Sequence, residues 1–463
     1  MDASISTQHN LIYSTMQPQI VSRQSIKPSS PTPPHLRTHA LSLFDQLAPH
    51  MYVPLVFFFR RPHAASPNPP CTSHFLQRSL SATLSRYYPF AGRIKDKLTV
   101  DCNDEGVTFL EARLEGVVTL AEILEGPKSE IVEMLFVDGL QWKHSKMGPL
   151  LAIQVTYFQC GGFAVAVLLS HKLGDLATLV KFVTDWGFLT RDTSTSAQHT
   201  VNPLFHSADL FPLGDLPPMS GAAIEEGKNF TCKRFVFEAS KIEALKRSIS
   251  DKVKNPTRVE VVTALIYIAI ISALRDSNPN PNNHPTLLLQ TMNLRTRMVP
   301  PLPESTMGNI VSFFPVAAAA AGEREVEVHE VVGVMRKEMG EFCDKYAKKY
   351  RTEEWVELIK KRLNEVREIL SKNGKSQLVY RCSSGCKFPV YGVDFGWGGA
   401  AWVTMAALRM KNTVMMMDDK NGGGIEALVC LDDKEMGGFQ HNEELLAYAS
   451  LNPTANCANY ANY

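Results

Sequence analysis

The chain lacks a charge imbalance, a long apolar run and a cluster of metal ligands. Its 463 residues carry 48 basic and 47 acidic side chains, a net charge of +1. This balance argues against electrostatic binding of nucleic acid or an anionic membrane. No stretch of about 18 apolar residues occurs, so no transmembrane helix is predicted. The first eighteen residues lack a signal-peptide core, and residues 458–463 form no targeting tripeptide.

Cysteine is sparse and scattered. Nine cysteines lie along the whole length. An odd, dispersed set in a long chain is typical of reduced, buried thiols rather than a disulfide framework. Cys382 and Cys386 are spaced C-x3-C, but no second pair of cysteines or histidines lies nearby, so we predict no metal site. The simplest compartment for such a chain is the cytosol, and we expect a cytoplasmic protein.

The length and composition predict a folded protein of two domains. The chain is too long for one ordinary core, and its 44% hydrophobic content is normal for a globular protein. Residues from 190 to 230 lose regular periodicity and contain several prolines, which indicates an interdomain crossover. The predicted divisions are a flexible N-terminal extension, an N-terminal domain, a crossover loop and a C-terminal domain, at residues 1–25, 26–195, 196–230 and 231–463.

The middle of the first half is predicted to be a β-hairpin followed by a helix. Residues 151–158 are rich in β-formers, and Gly161-Gly162 supplies the turn. Residues 163–169 are an unbroken apolar run, which is typical of a strand buried on both faces. From Leu176 to Trp186 the apolar residues follow a helical period.

The second half shows alternating strand and helix patterns. Strands are predicted near 231–238 and 286–292, and residues 418–424 are predicted to be a hairpin turn. Ser240 is a plausible N-cap for one helix, and another is predicted from about Val259. Apolar residues on one face predict an amphipathic helix over 353–372.

The first motif with chemical content is His171-Lys172-Leu173-Gly174-Asp175. By itself this pattern is weak, because with 13 histidines an aspartate four residues after one of them arises by chance about as often as not. The structural alternative is a satisfied histidine at a strand end with Asp175 capping the next helix. The position after a buried strand favours a catalytic role for His171, because a neutral imidazole held there can act as a general base.

The second motif, Asp394-Phe395-Gly396-Trp397-Gly398, is much rarer by chance. Its simplest interpretation is a tight turn whose aromatic residues pack into a core and whose glycines allow close approach of the backbone. We expect the segment to have this structural role. Its position in the chain relative to His171 is nevertheless informative about the protein family.

With both motifs in this order, the chain resembles the plant BAHD acyltransferases, and most closely their alkaloid O-acetyltransferase branch. The resemblance extends from about Ile26 over nearly the whole length. Further matching segments are the Pro-rich stretch 26–34, Leu41 to Gln46, Tyr88 to Arg93, Asn293-Leu294-Arg295 and Gly308-Asn309.

The resemblance implies an α/β fold of the chloramphenicol acetyltransferase type. Two similar domains, each a mixed β-sheet with flanking helices, would be joined by a long crossover loop. A channel would run between them with His171 at its middle, acyl-CoA entering from one face and the acceptor from the other. We expect a monomer whose partners are these small molecules, with no nucleic acid and no membrane.

The resemblance also implies roles for individual residues. His171 corresponds to the general base. Asp175 corresponds to a residue that points away from the channel and pairs with an arginine, for which Arg295 is the candidate. Structural support is also expected from the second motif, in particular from Asp394, Gly396 and Trp397.

Coenzyme A is expected as a co-substrate rather than a tightly bound cofactor. Thr257 and Arg258 match a pair beside the nucleotide, where a helix N-terminus and a guanidinium would suit phosphate. A capped helix with a solvated arginine is the alternative. Ser383 and Ser384 match a pair near the pantetheine arm, and ordinary turn chemistry is the alternative there.

Two positions depart from the family pattern. The residue after the serine pair is commonly tryptophan, which borders the channel near the reacting carbonyl, whereas here it is Gly385. Gly399-Ala400 stands where Lys-Pro or a similar pair is common. Loss of a transition-state contact can cost about 3 kcal/mol, or roughly a hundredfold in rate, so Gly385 bears on efficiency and substrate size.

These observations predict an acyl-CoA-dependent O-acyltransferase that acetylates an alkaloid or terpenoid alcohol. Three alternatives stay open at this point: transfer to an amine, transfer of a bulkier acyl group, and a catalytically weak paralogue that binds ligands. A purely structural protein would not account for His171 at the end of a buried strand.

Overall fold

A computed structural model describes residues 17–60, 72–114, 119–142, 148–192, 194, 200–212, 229–277, 285–317, 326–372, 378–407 and 410–455. The strands in this part of the chain are β1 (Gln19–Ile26), β2 (Thr38–Ala40), β3 (Tyr52–Phe59), β4 (Arg93–Ile94), β5 (Thr99–Asp101), β6 (Val107–Leu114), β7 (Leu151–Phe158), β8 (Phe163–Ser170), β9 (Phe230–Phe237), β10 (Thr286–Asn293), β11 (Val311–Ala317), β12 (Leu378–Ser384), β13 (Trp402–Thr404), β14 (Thr413–Asp418), β15 (Ile425–Asp432) and β16 (Ser450–Leu451). The α-helices are α1 (Leu43–Leu47), α2 (Thr72–Leu84), α3 (Leu120–Glu125), α4 (Ser129–Met134), α5 (Leu176–Arg191), α6 (Ser207–Leu210), α7 (Ala239–Ser248), α8 (Arg258–Ser277), α9 (Val328–Lys345), α10 (Trp355–Lys372), α11 (Asp433–Phe439) and α12 (Glu443–Tyr448).

The first half of the chain is built on a six-stranded mixed sheet. Its order is β1-β6-β7-β8-β3-β13, with β6 and β7 parallel and the other pairs antiparallel. The predicted hairpin is confirmed, since β7 and β8 pair across the Gly161-Gly162 turn. All eight residues of β8 are buried, as the unbroken apolar run predicts. The strand that leads to His171 is therefore held between β7 and β3.

The predicted flexible extension through residue 25 is wrong for its last part. Strand β1 begins at Gln19 and pairs along its length with β6. Most of its side chains are exposed, so the sequence carries no burial pattern there, and backbone hydrogen bonds to β6 supply the order instead. Residues 1–16 lie outside the described residues.

The second half is built on a seven-stranded mixed sheet. Its order is β11-β10-β12-β14-β15-β9-β16, with β12 parallel to both β10 and β14. The predicted strands near 231–238 and 286–292 are confirmed as β9 and β10, and the helix over 353–372 as α10. The turn at 418–424 joins β14 to β15 as predicted. Helix α7 differs slightly, because it begins at Ala239 after the N-cap Glu238 and Ser240 lies inside its first turn.

The boundary at residue 231 does not separate the two sheets cleanly. Strand β13, well inside the predicted C-terminal domain, adds to the free edge of β3 in the first sheet, with Trp402 opposite Phe58. A three-residue strand carries too little pattern for its sheet to be assigned from sequence. Within the predicted crossover, residues 213–228 lie outside the described residues, and residues 200–212 contain α6 and a bridge from Leu204 to Thr306.

The prediction that the cysteines are reduced is wrong for one pair. Cys232 and Cys430 stand directly opposite each other on β9 and β15 and form a disulfide. They are 198 residues apart in sequence, so only the register of the sheet brings them together. Five other cysteines in the described part of the chain are free thiols.

No helix within the described ranges is long and apolar enough to cross a membrane.

Candidate active site

His171 lies at the end of β8, where the buried strand leaves the sheet. Its backbone N–H donates to the carbonyl of Met51, the residue before β3, at 2.8 Å. The turn that follows needs glycine at position 174, because a side chain there would place its Cβ 2.5 Å from Cγ2 of Thr178. The strand, its neighbour and this tight turn together hold the His171 backbone in place.

Asp175 caps helix α5 and forms the buried ion pair that the resemblance implied. Its Oδ1 accepts from the backbone N–H of Thr178 at 2.9 Å. The Arg295 guanidinium contacts both carboxylate oxygens, Nη1 to Oδ2 at 2.7 Å and Nη2 to Oδ1 at 3.2 Å. Burial alone would raise the pKa of Asp175, but Arg295 and the backbone donors outweigh it and lower the pKa. Both sequence interpretations of Asp175, helix cap and arginine partner, are therefore present at once.

Arg295 ties the loop between β10 and β11 to the first half of the chain. Besides Asp175, it donates to the carbonyls of Thr306 and Gly308, each at 3.0 Å, and to the Thr178 hydroxyl at 3.1 Å. Gly308 has φ +114, and a Cβ on it would lie 2.7 Å from the Ser207 Oγ, so this position requires glycine. The loop is held rigidly where it meets the start of α5.

Asn309 on the same loop contacts the histidine, and sequence reasoning assigned it no role. Its Nδ2 donates to the backbone carbonyl of His171 at 2.6 Å and to Oδ1 of Asp45 at 2.8 Å. Asp45 lies on α1 and is buried. Gly308-Asn309 and the segment containing Asp45 both carried the family resemblance, but one sequence alone does not show that they touch.

Burial favours the neutral form of the His171 imidazole. Burial lowers its pKa from the usual 6.5, against the opposing influence of its own carbonyl, Asp175, Asn309 and Asp45. Its Nδ1 is buried, and no group meets it with full hydrogen-bond geometry. Nδ1 is therefore the ring nitrogen that faces the protein interior, and a neutral imidazole can accept a proton.

Thr257 and Arg258 lie at the start of α8, as predicted, but Arg258 is already paired. Thr257 forms a reciprocal capping pair with Glu260, through contacts of 2.7 and 3.2 Å. The Arg258 guanidinium contacts Oδ1 of Asp418 at 3.0 Å and the Gly424 carbonyl at 3.2 Å. A phosphate at this helix end would share the guanidinium with Asp418.

Ser383 and Ser384 form the end of β12, and the residue after them meets the start of α5. The Ser383 hydroxyl contacts that of Thr291 at 2.7 Å, and the Ser384 Oγ accepts from the Cys386 N–H at 3.2 Å. A Cβ on Gly385 would lie 2.7 Å from Cδ2 of Leu176. The serine pair is therefore brought close to the helix that Asp175 caps.

The second motif is remote from His171. Asp394 accepts from the backbone N–H groups of Gly396, Trp397 and Gly398 at 2.7 to 3.1 Å. Trp397 packs edge-on against Phe163, the first residue of β8, with ring centres 5.4 Å apart. Because a strand rises about 3.3 Å per residue and His171 follows Phe163 by eight residues, the motif and His171 are roughly 26 Å apart along the strand. The motif therefore packs against the start of β8, whereas His171 follows the end of that strand.

A cavity of about 640 Å³ lies where the two halves meet at β13 and β9. Its lining includes Lys128, Arg234, Trp402, Met405 and Leu428. The predicted site residues are absent from its walls in the described part of the chain. Nor does that part gather three histidine, cysteine, aspartate or glutamate side chains as a metal ion would need.

Comparison with known proteins decides the family. The model of the Transferase family matches residues 16–446. This chain belongs to that family, the plant BAHD acyltransferases. It is 35% identical over 438 residues to 17,18-epoxy-17-hydroxycur-19-ene N-malonyltransferase of Strychnos nux-vomica, covering 94% of this chain and 91% of the relative. It is also 35% identical over 451 residues to limonoid 21-O-acetyltransferase of Melia azedarach, covering 95% and 100%.

The crystal structure of vinorine synthase has the same overall fold. It superposes with a TM-score of 0.78 at 30% sequence identity, over 95% of this chain and 100% of that chain. The predicted fold class, a mixed α/β protein with two sheet-rich domains, is confirmed. The protein is thus an acyltransferase enzyme of the BAHD family, whose members use acyl-CoA as co-substrate.

Proposed function

We propose that this acyltransferase moves an acetyl group from acetyl-CoA to a hydroxyl of a plant alkaloid or terpenoid, with His171 as general base. The observation that carries the proposal is the state of His171. Its pKa is lowered by burial, and its backbone is held by Met51, the residue before β3, and by Asn309. In this proposal Nε2 takes the proton, because Nδ1 is buried. A base that is neutral at physiological pH is what direct attack by an alcohol requires.

The reaction needs no covalent enzyme intermediate. Nε2 of His171 takes the proton of the acceptor hydroxyl as its oxygen attacks the thioester carbonyl. The tetrahedral intermediate collapses when the carbon–sulfur bond breaks, and the imidazolium returns the proton to the coenzyme A thiolate. The products are the ester and coenzyme A, and His171 is neutral again.

The donor would be held by residues of the second half. In this proposal Thr257 and Arg258 meet the phosphates, with the guanidinium shared with Asp418, and Ser383 and Ser384 meet the pantetheine arm. Asp175 with Arg295, and Asp394 with Gly396 and Trp397, maintain the shape of the site without touching substrate. We also propose that the chain divides into an N-terminal domain, a crossover loop and a C-terminal domain at residues 26–195, 196–230 and 231–463. Strand β13 of the C-terminal domain pairs with the first sheet.

Transfer of another acyl group, or transfer to nitrogen, is the second candidate. A relative at 35% identity over nearly the whole chain is named as an N-malonyltransferase. The same base serves an amine, and the departure at Gly385 alters the part of the chain that the resemblance places near the reacting carbonyl, while Gly399 directly follows the second motif. A catalytically weak, ligand-binding protein is a third outcome of the same experiment.

The decisive experiment is incubation of the purified protein with acetyl-CoA, malonyl-CoA or a longer acyl-CoA and a panel of plant alcohols and amines. Mass spectrometry then reads which acceptor gains which acyl group. We expect acetylated alcohols, and His171→Ala should abolish the product while the unfolding temperature stays near that of the wild type. His441→Ala, at an exposed histidine bonded to the Gly437 carbonyl, is the matched control. Full turnover by His171→Ala would contradict the proposed role.

A further inference from the structure

One row of side chains crosses the second sheet and stays partly exposed in the middle of it. Strand register places Ser383 of β12, Met415 of β14, Leu428 of β15 and Arg234 of β9 side by side. The first three are only partly buried, although Met415 and Leu428 pack against the core of the first half. Residues in the centre of a sheet that faces another layer are usually buried, so open space lies above this row.

The row connects the end of β12 with the cavity at β13 and β9. Leu428 and Arg234 line that cavity. Neighbouring strands are about 4.8 Å apart, so the three steps from Ser383 to Arg234 span roughly 14 Å. At the Ser383 end, a Cβ on Gly385 would lie 2.7 Å from Leu176 Cδ2. Leu176 begins α5, which directly follows the turn that carries the candidate base.

Arg234 is a buried cation with hydrogen-bonding capacity left over. Its side chain is 7% exposed, Nε donates to Oε2 of Glu426 at 2.7 Å, and Nη1 donates to the Pro453 carbonyl at 2.6 Å. The guanidinium carbon lies 5.5 Å from the centre of the Trp402 ring. Nη2 has no hydrogen-bond partner within the described residues, and it is not sealed from solvent. Because Arg234 lines the cavity, Nη2 can donate to a molecule bound there.

The surroundings of Arg234 select a neutral oxygen on a largely apolar molecule. The ion pair with Glu426 already balances the charge of Arg234, so a ligand need not be an anion. Lys128 and Glu130, also on the wall, carry opposite charges. The volume of about 640 Å³ is typical of a small-molecule site and far exceeds an acetyl group. The apolar part of the lining comprises Val132, Trp402, Met405, Leu428 and Leu451.

We propose that this cavity is the far end of the acceptor site and that Arg234 is a specificity-determining residue, whose Nη2 donates to a neutral carbonyl oxygen of a rigid, fused-ring acceptor. That oxygen is at the end of the acceptor remote from the hydroxyl that is acylated, and the apolar rings lie over Met415 and Leu428. The inference rests on the proposed function, because it assumes that the hydroxyl is delivered to His171. It narrows the acceptor to an extended molecule with an oxygen at each end.

The test measures binding by titration calorimetry without acyl-CoA. The probes are dehydroepiandrosterone, a rigid fused-ring alcohol with a ketone at the end opposite its hydroxyl, and the analogue that lacks the ketone. We expect the wild type to bind the ketone about tenfold more tightly, as one hydrogen bond to a charged donor implies. Arg234→Met combined with Glu426→Gln removes the guanidinium without leaving a buried lone carboxylate. In this double variant the two steroids should bind equally.

Two further variants show where the steroids bind. Leu428→Trp fills the cavity and should weaken binding of both steroids at least about tenfold, whereas His441→Ala, at an exposed histidine, should leave it unchanged. Absence of saturable binding, equal affinity of the wild type for both steroids, a preference kept by the double variant, or wild-type binding by Leu428→Trp would each overturn the inference. Thermal unfolding checks that the variants fold, and the wild-type preference with Leu428→Trp decides the matter should the double variant not fold.

The same measurements separate this inference from the proposed function. A wild type that binds the ketone preferentially but acylates no alcohol supports the site and contradicts the proposed function. A wild type that acylates alcohols but shows no preference for the ketone supports the proposed function and overturns the role of Arg234.

Discussion

Arg295 contacts Asp175 through two parallel hydrogen bonds, and the pair joins the two halves of the chain four residues after His171. Both side chains are almost completely buried, at 3% and 7% exposure. Such a pair contributes little net stability, because desolvation offsets most of the attraction, but it specifies geometry. Here it holds the loop carrying Asn309 against the turn that carries His171.

Breaking this ion pair should destabilise the protein strongly. Arg295→Met leaves Asp175 buried and uncompensated, and we expect a loss of about 3–5 kcal/mol in the free energy of unfolding. Adding Asp175→Asn should recover part of the loss by removing the charge. The control is Arg336→Met, whose pair with Glu260 is partly exposed and should be worth about 1 kcal/mol or less. Urea denaturation measures all of these, and equal losses for Arg295 and Arg336 would contradict the expectation.

The activity should persist to lower pH than an ordinary histidine allows. Because burial lowers the pKa of His171 below 6.5, the acidic limb of kcat/KM is expected below pH 6.5. The lowered pKa of His171 also makes the stability of the protein depend on pH. The unfolded chain binds the proton more readily than the folded one, so stability is lost as pH falls from 6.5 through the folded pKa. His171→Gln should lose less stability over that interval, measured by thermal unfolding against pH, and a limb above 6.5 would be inconsistent with burial as the cause.

A side chain at position 385 should conflict with Leu176. Gly385→Ala places a methyl group 2.7 Å from the Leu176 Cδ2, and we expect a cost of about 1–3 kcal/mol and a lower kcat/KM. In a Leu176→Ala background that cost should largely disappear, which a double-mutant cycle measures. Gly437→Ala is the control, since no atom lies within 4 Å of a Cβ on that residue of α11. A Gly385→Ala cost that is the same in both backgrounds would show that the two residues do not compete for space.

The second motif should support stability without taking part in turnover. Asp394→Ala removes the acceptor of three backbone N–H groups, so we expect a loss of about 1–3 kcal/mol in unfolding free energy. Because the motif is roughly 26 Å from His171 along β8, kcat and KM per folded molecule should stay at the wild-type values. Steady-state kinetics well below the unfolding temperature separates the two effects. A fall in kcat without loss of stability would place Asp394 in the catalytic machinery.

The sequence predicts the parts of this fold whose pattern is local. The unbroken apolar run of β8, the Gly161-Gly162 hairpin and the amphipathic stripe of α10 each follow from periodicity over a few residues. Prediction from the sequence fails where a strand or a bond depends on a partner that is far away in the chain. The exposed strand β1 and the short strand β13 are held by neighbours in the sheet, and Cys232 meets Cys430 through register alone.

The site divides in the same way. The sequence by itself determined that a histidine follows a buried strand, that Asp175 opens the next helix, and that the chain has the motifs of its family. It also supplied Arg295 as the partner of Asp175, through the resemblance. Only the tertiary structure decided that Asp45, Asn309 and His171 form one hydrogen-bonded unit, because these residues lie on α1, on the loop before β11 and after β8. Contacts between segments so far apart depend on how two sheets pack, and no local period in the chain records that.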